Sequence, residues 1–262
     1  MSESEKNFSI DFDDDPLNAV GVSKRSLVMF FLIDRSSSMK GLKMGELNTA
    51  MDELIPEIRK IGEADTDVKI AVLTFSTGCA WMYAEPISVE DFKWTPLRAD
   101  GVTDMGEAFS ELAGKLSRNT FLNSPAMSFA PVIFLLTDGF PTDDYKLGLK
   151  YLQANSWYKY ALKVALGIGE EANDDMLAEF TGSRETVVHA YSGAQLAQLI
   201  KRVAVTSSQI GSKSMTLSDE CEHELDINDV ANKKQQQLGK EIQDIMGSID
   251  MPKDNKSLDA GW

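Results

Sequence analysis

The run "SLVMFFLI" over residues 26–33 is apolar at every position after its first and stops abruptly at Asp34. A strand with one wet face would alternate polar and apolar residues. Unbroken apolarity over so short a length marks instead a strand covered on both faces. The stretches "DVKIAVLTFS" (67–76) and "FAPVIFLLTDG" (129–139) share this character, and "YALKVALGIG" (160–169) and "ETVVHAYS" (185–192) also read as strands. Helical spacing fills the intervals. Leu47, Met51, Leu54, Ile58 and Ile61 define a helix over 44–62 that ends at Gly62, and further helices are predicted over 104–119, 143–156, 174–182 and 193–208. "GCAWMYAEPISVEDF" (78–92) predicts a short edge strand and a loop. Buried strands alternating with helices through short connections predict an α/β fold. Its core is a doubly wound, mostly parallel sheet with helices on both faces and a short antiparallel edge strand.

This domain is expected over residues 26–206. Residues 1–25 are polar and acidic and read as a flexible arm. Residues 207–262 form a polar tail in which 228–249 can make one amphipathic helix, with Val230, Leu238, Ile242, Ile245 and Ile249 sharing a face that Lys234 interrupts. That helix could stay nascent in a mobile tail or dock on the domain or a partner. The net charge of −15 is spread along the chain, which argues against nucleic acid or an anionic membrane surface as partner. The longest apolar runs are about eight residues, far from the roughly 18 a spanning helix needs. No basic segment followed by an apolar one opens the sequence, and Cys79 and Cys221 are too few for a disulfide framework. These features describe a soluble, cytoplasmic protein.

Three polar sites stand at equivalent places in this scheme. Asp34, Ser36 and Ser38 follow the first strand, Thr103 in "GVTDMG" precedes a helix, and Asp138 in "LLTDG" closes the strand of 129–139. The carboxyl ends of parallel strands lie on one edge of a doubly wound sheet, so these five residues can meet there. A set of carboxylate and hydroxyl oxygens suits a hard cation such as Mg²⁺, with Mn²⁺ or Ca²⁺ as alternatives.

"DRSSS" with the later threonine and the Thr-Asp-Gly aspartate resembles the metal-ion-dependent adhesion site of von Willebrand factor A domains, which have a Rossmann-like fold. The resemblance covers about residues 26–206 and includes "ALGIG". It implies that Ser36, Ser38 and Thr103 ligate the metal by hydroxyl, while Asp34 and Asp138 act through waters and by orienting the serines. Neutral hydroxyls leave the cation's charge poorly compensated, so an Asp or Glu carboxylate of a partner protein would complete the shell. "PVIFLLTDGFPTDD" also looks like small intracellular bacterial members, including the TerY-like group associated with tellurite resistance. That resemblance implies a stress-response or phosphorylation-signalling system, with a protein kinase or phosphatase among the partners. The bulky Arg35 departs from the family pattern and is read as a surface residue, and Thr142, Asp143 and Asp144 as helix caps.

The expected function is therefore a non-enzymatic, Mg²⁺-dependent protein-binding module. One alternative is a phosphoryl-transfer enzyme of the haloacid-dehalogenase type, which wants a second acid two residues after the first; here Ser36 occupies that position. Another is an assembly subunit that binds through its tails. His189 reads as structural, Cys221 and His223 lack the further ligands of a zinc site, and Met39, Met44 and Met51 read as core fillers. No phosphate-binding loop, dinucleotide fingerprint or nucleophile elbow is present.

Overall fold

The computed structural model describes residues 24–60, 66–123, 128–169, 171–213 and 227–248. The expected arm of residues 1–25 lies almost wholly outside them, as do the expected helix end at Gly62, the Cys221–His223 pair and residues 214–226 and 249–262 of the tail. Its strands are β1 (Arg25–Asp34), β2 (Thr66–Ser76), β3 (Gly78–Trp81), β4 (Ile87–Ser88), β5 (Val132–Thr137), β6 (Leu162–Ile168) and β7 (Val187–Ala190). The helices are α1 (Leu42–Arg59), α2 (Met105–Lys115), α3 (Tyr145–Ala154), α4 (Ser156–Tyr160), α5 (Asp174–Thr181), α6 (Gly193–Lys213) and α7 (Ile227–Ser248).

All seven strands form one sheet in the order β3-β2-β1-β5-β6-β7, with β4 also pairing with β2. Five strands, β2, β1, β5, β6 and β7, pair in parallel, while β3 and β4 run antiparallel to β2. This is the mostly parallel, helix-flanked sheet that the apolar runs predicted. The reason for their unbroken apolarity is visible in β1. Leu27, Met29, Phe31 and Ile33 enter the core shared with α1 and α6, whereas Val28, Phe30 and Leu32 enter the core shared with α2, α3 and α5. Successive side chains point to opposite faces, and both faces are covered.

The boundaries differ from expectation in instructive places. The helix expected over 143–156 is two helices, because Asn155 breaks it. Its side-chain oxygen accepts from the N–H groups of Trp157 and Tyr158 to start α4. Its amide donates to the carbonyls of Ala113 and Leu116 at the end of α2. One asparagine thus ends a helix, caps the next and closes a third. The strand expected over 185–192 is shorter, since Arg184–Thr186 form a 3-10 turn and only Val187–Ala190 pair with β6. The helix expected to end near 208 continues to Lys213.

The tail helix is docked. α7 packs on α6, α4, β6 and the 3-10 turn, and burying Leu238 and Ile242 completely against the core satisfies its apolar face. A polar latch adds register. The shortness of β7 leaves the backbone of Lys163 in β6 without a strand on that side, and the Gln235 side chain takes the strand's place. Its oxygen accepts from Lys163 N–H at 3.1 Å, and its amide donates to Lys163 C=O at 2.8 Å and to Thr186 Oγ1 at 3.0 Å. Gly239 lets the helix approach here, since a Cβ would stand 2.8 Å from a Glu185 carboxylate oxygen.

Gln235→Ala would strand a buried backbone N–H and C=O, so we expect a loss of about 1–3 kcal/mol in urea unfolding. Leu238→Ala should cost about 2–5 kcal/mol by leaving a cavity. The neighbouring Lys163 side chain gives a pH signature. It is buried, and its ammonium donates to the carbonyls of Tyr158 and Ala161. Burial pushes it from the usual 10.5 down to about 8, so between those values the unfolded chain holds the proton more tightly and stability rises with pH. Relative to Lys163→Met, the wild type should gain up to roughly 3 kcal/mol across that window in chemical denaturation.

Candidate metal centre

The register of the two central strands builds the site. β1 and β5 are adjacent and parallel, with Ile33 opposite Leu136, so their last residues emerge side by side at the carboxyl edge. The Thr137 hydroxyl donates to Asp34 Oδ2 at 2.6 Å, and Ser36 N–H donates to Asp34 Oδ1 at 2.8 Å. Asp34 is completely buried, and both of its oxygens are held. Burial pushes its carboxyl above the usual range, the nearby Asp138 adds to the rise, and the bonds from Thr137 and Ser36 partly offset it.

The chain then turns through a 3-10 segment, Ser37–Met39, pinned by the fully buried Met39. This turn brings two hydroxyls together and aims one of them at Asp138. Ser36 Oγ lies 2.9 Å from Ser38 Oγ, and Ser38 Oγ donates to Asp138 Oδ1 at 2.7 Å. Asp138 and Ser36 are buried, whereas Ser38 is open to solvent, so the cluster can be reached from one side. Ser37 is exposed and contributes its N–H to the Gly101 carbonyl.

Thr103 is placed from two directions. The loop before it is clamped by Asp100 N–H to Arg35 C=O at 2.7 Å and by Asp104 N–H to Ser76 C=O at 2.8 Å. Gly101 makes this fit possible: its φ is +82°, and a Cβ would lie 2.6 Å from Thr77 Oγ1. From the other side, the backbone of Thr103 exchanges bonds with Thr142, donating to its hydroxyl and accepting from its N–H, both at 2.9 Å. Asp143 caps α2 across the gap, accepting from the N–H groups of Gly106 and Glu107 at 3.0 Å each, and Asp144 caps α3 through Leu147 N–H. Those acids serve as caps, and α2 and α3 nearly touch, since a Cβ on Gly148 would meet Gly106 O at 2.1 Å. Among the described residues no hydrogen bond joins the Thr103 hydroxyl to the other four. The structure therefore links Asp34, Ser36, Ser38 and Asp138 directly and brings Thr103 to the same edge by its backbone.

Two participants escaped the sequence reading. Thr137 is the hydroxyl that orients Asp34. Lys43, in the first turn of α1, donates from Nζ to Asp138 Oδ2 at 2.7 Å. A cation in a first turn opposes the helix dipole, and that anomaly was the available signal that a carboxylate must lie close by. Arg35 is half-buried, and its N–H bonds Phe75 C=O.

The oxygens suit a hard cation. Neighbouring ligands of an octahedral Mg²⁺ with bonds of about 2.1 Å stand about 3.0 Å apart. The 2.9 Å spacing of the Ser36 and Ser38 hydroxyls is close to that edge length, and Asp138 accepts from Ser38 beside them. No group of three His, Cys, Asp or Glu side chains capable of holding a metal occurs among the described residues, so hydroxyls must complete any such shell.

The family profile of the von Willebrand factor type A domain matches residues 29–203. Comparison with curated protein sequences finds no significant match. Among solved structures, proximal thread matrix protein 1 from the mussel byssus is similar with a TM-score of 0.53 and 22% identity, covering 70% of this chain and 46% of that one. A form of the same protein with a zinc-occupied MIDAS motif gives 0.51 and 20%, covering 71% and 46%. A von Willebrand factor type A protein from Catenulispora acidiphila gives 0.52 and 20%, covering 71% and 43%. The chain thus spans less than half the length of each of these structures.

Asp143→Ala should cost about 0.5–2 kcal/mol in urea unfolding, because it uncaps α2 from outside the helix. Asp143→Asn, which keeps one acceptor, should lose less.

Proposed function

This chain belongs to the von Willebrand factor type A domain family, and we propose that it is a non-enzymatic module that binds a protein partner through Mg²⁺. Domains of this family typically mediate protein–protein interactions through a site for a divalent metal ion. The observation that carries the reading is the hydrogen-bonded chain from Asp34 through Ser36 and Ser38 to Asp138, open to solvent at Ser38. Ser36, Ser38 and Thr103 would hold the cation by their hydroxyls, and Asp34 and Asp138 would act through waters and by orienting the serines. Mn²⁺ or Ca²⁺ could take the same place. A bound cation supplies a position that attracts one more oxygen, and the partner's Asp or Glu carboxylate would fill it.

The surface around the site supports a protein rather than a small anion. Leu42 is 55% exposed, Val102 46% and Phe140 62%, and each adjoins a different site-bearing loop. Apolar side chains held out at the rim favour a partner segment whose acidic residue is flanked by apolar ones. Arg35 on the first loop favours the acid electrostatically. Residues 26–206 carry this function, with α7 docked against them. The TerY-like resemblance of "PVIFLLTDGFPTDD" supports the finer proposal of a cytoplasmic, tellurite-resistance or stress-response setting with a kinase or phosphatase as partner. Among the described residues no helix is long and apolar enough to cross a membrane.

Recovery of a partner from lysate should be lost in chelator and restored by Mg²⁺. Ser36→Ala combined with Ser38→Ala should weaken Mg²⁺ binding by tenfold or more in calorimetry, on the order of 1.4 kcal/mol. Acidic peptides should bind in Mg²⁺ and fail when their Glu is replaced by Gln. Partner recovery that is equal in chelator and in Mg²⁺ would rule this mechanism out.

A further inference from the structure

We infer that Lys43 is the resident counter-ion of the site, competing with the divalent cation for Asp138 and so setting the metal concentration at which the module switches on. The inference rests on the metal-binding reading above and extends it to control of that site.

Asp34 and Asp138 are both completely buried, and Lys43 salt-bridges Asp138, with its side chain only 15% exposed. It stands in the first turn of α1, where the helix dipole disfavours an ammonium. On its far side it lies against the loop after β6. Gly169 has a φ of +84°, and a Cβ there would sit 3.7 Å from Lys43 Cε and 3.8 Å from Nζ. The ammonium thus reaches the carboxylate beside that loop.

Both oxygens of Asp138 are thereby engaged, Oδ1 by Ser38 and Oδ2 by Lys43. The two donors differ in what a metal demands of them. A hydroxyl can turn its proton away and offer a lone pair, so Ser38 can change from donor to ligand in place. An ammonium has no lone pair and carries the same sign as the metal. Lys43 must loosen its hold on Asp138, or stay and repel the cation, and at a partly buried site that repulsion is large. The same residue keeps the metal-free protein intact, because it compensates one of two neighbouring buried carboxylates.

Removing it should therefore move two measurements in opposite directions. With Lys43→Met, calorimetry should show Mg²⁺ and Mn²⁺ dissociation constants falling by about tenfold or more, since one nearby like charge is gone. In chelator the variant should melt below the wild type, and added Mg²⁺ should raise its Tm by more than it raises the wild type's. Lys43→Arg, which keeps the charge, should bind metal like the wild type or more weakly. Lys40→Met removes an equal charge from the exposed pair with Asp100 and should change affinity by less than about threefold, because that charge is screened. Metal affinity that is unchanged or weakened in Lys43→Met would overturn the inference while leaving the metal site standing, as would an equal gain in Lys40→Met. If neither the wild type nor Lys43→Met binds Mg²⁺ or Mn²⁺, the metal-binding reading fails and takes this inference with it.

Discussion

The parallel pairing of β1 with β5 at the middle of the sheet is the constraint on which the rest of the molecule depends. Residues 29–33 and 132–136 are buried on both faces, so their register cannot slip without turning a core side chain toward a different core. That rigidity delivers Asp34 and Thr137 to the edge as neighbours and places Asp138 one residue further on. The site's precision therefore comes from apolar packing, while its polar groups are short extensions of strands that cannot move. The flanking loops repeat the principle less rigidly: 100–104 hangs from β1 and β2, and 142–144 is tied to the start of α2.

This division explains which features were legible in the sequence. The central strands announced themselves because a doubly covered strand has no polar face to hide it. Asp34, Ser36, Ser38 and Asp138 were legible as neighbours because topology alone sends strand carboxyl ends to one edge. Their mutual geometry depends on a 3-10 turn that no period marks, and Thr103 reaches the edge through backbone bonds to Thr142 that leave no pattern at all. Asn155 was missed for a related reason. A side chain that caps one helix while closing another acts through long-range partners, and only its local breaking tendency shows in the sequence.

The tail shows how much one polar contact can decide. The apolar positions of α7 could equally have served a helix nascent in solution or laid on a partner, since periodicity says that a face wants burial without saying where. The docking place follows from a defect in the sheet. β7 begins too late to pair with Lys163, and Gln235 offers a donor and an acceptor in the spacing a strand would have supplied. Glutamine at that helix position reads as one more polar side chain facing water, so the latch was invisible before the missing strand was known.

Charge explains why hydroxyls and a lysine would belong together in the proposed metal centre. Two buried carboxylates and one ammonium leave the empty site with a single negative charge, which a compact domain tolerates more readily than two. A divalent cation in the proposed position turns that to a single positive charge. Neutral serine and threonine ligands do nothing to cancel it, and one carboxylate from outside does. Had the serines been acids, the loaded site would be neutral or negative and would have no need of a partner. Had Lys43 been neutral, the loaded site would already balance without one. The ammonium thus has two roles in the same reading. It holds the metal-free site together, and it leaves the loaded site one negative charge short, which is the condition for binding to depend on both the metal and an acidic partner.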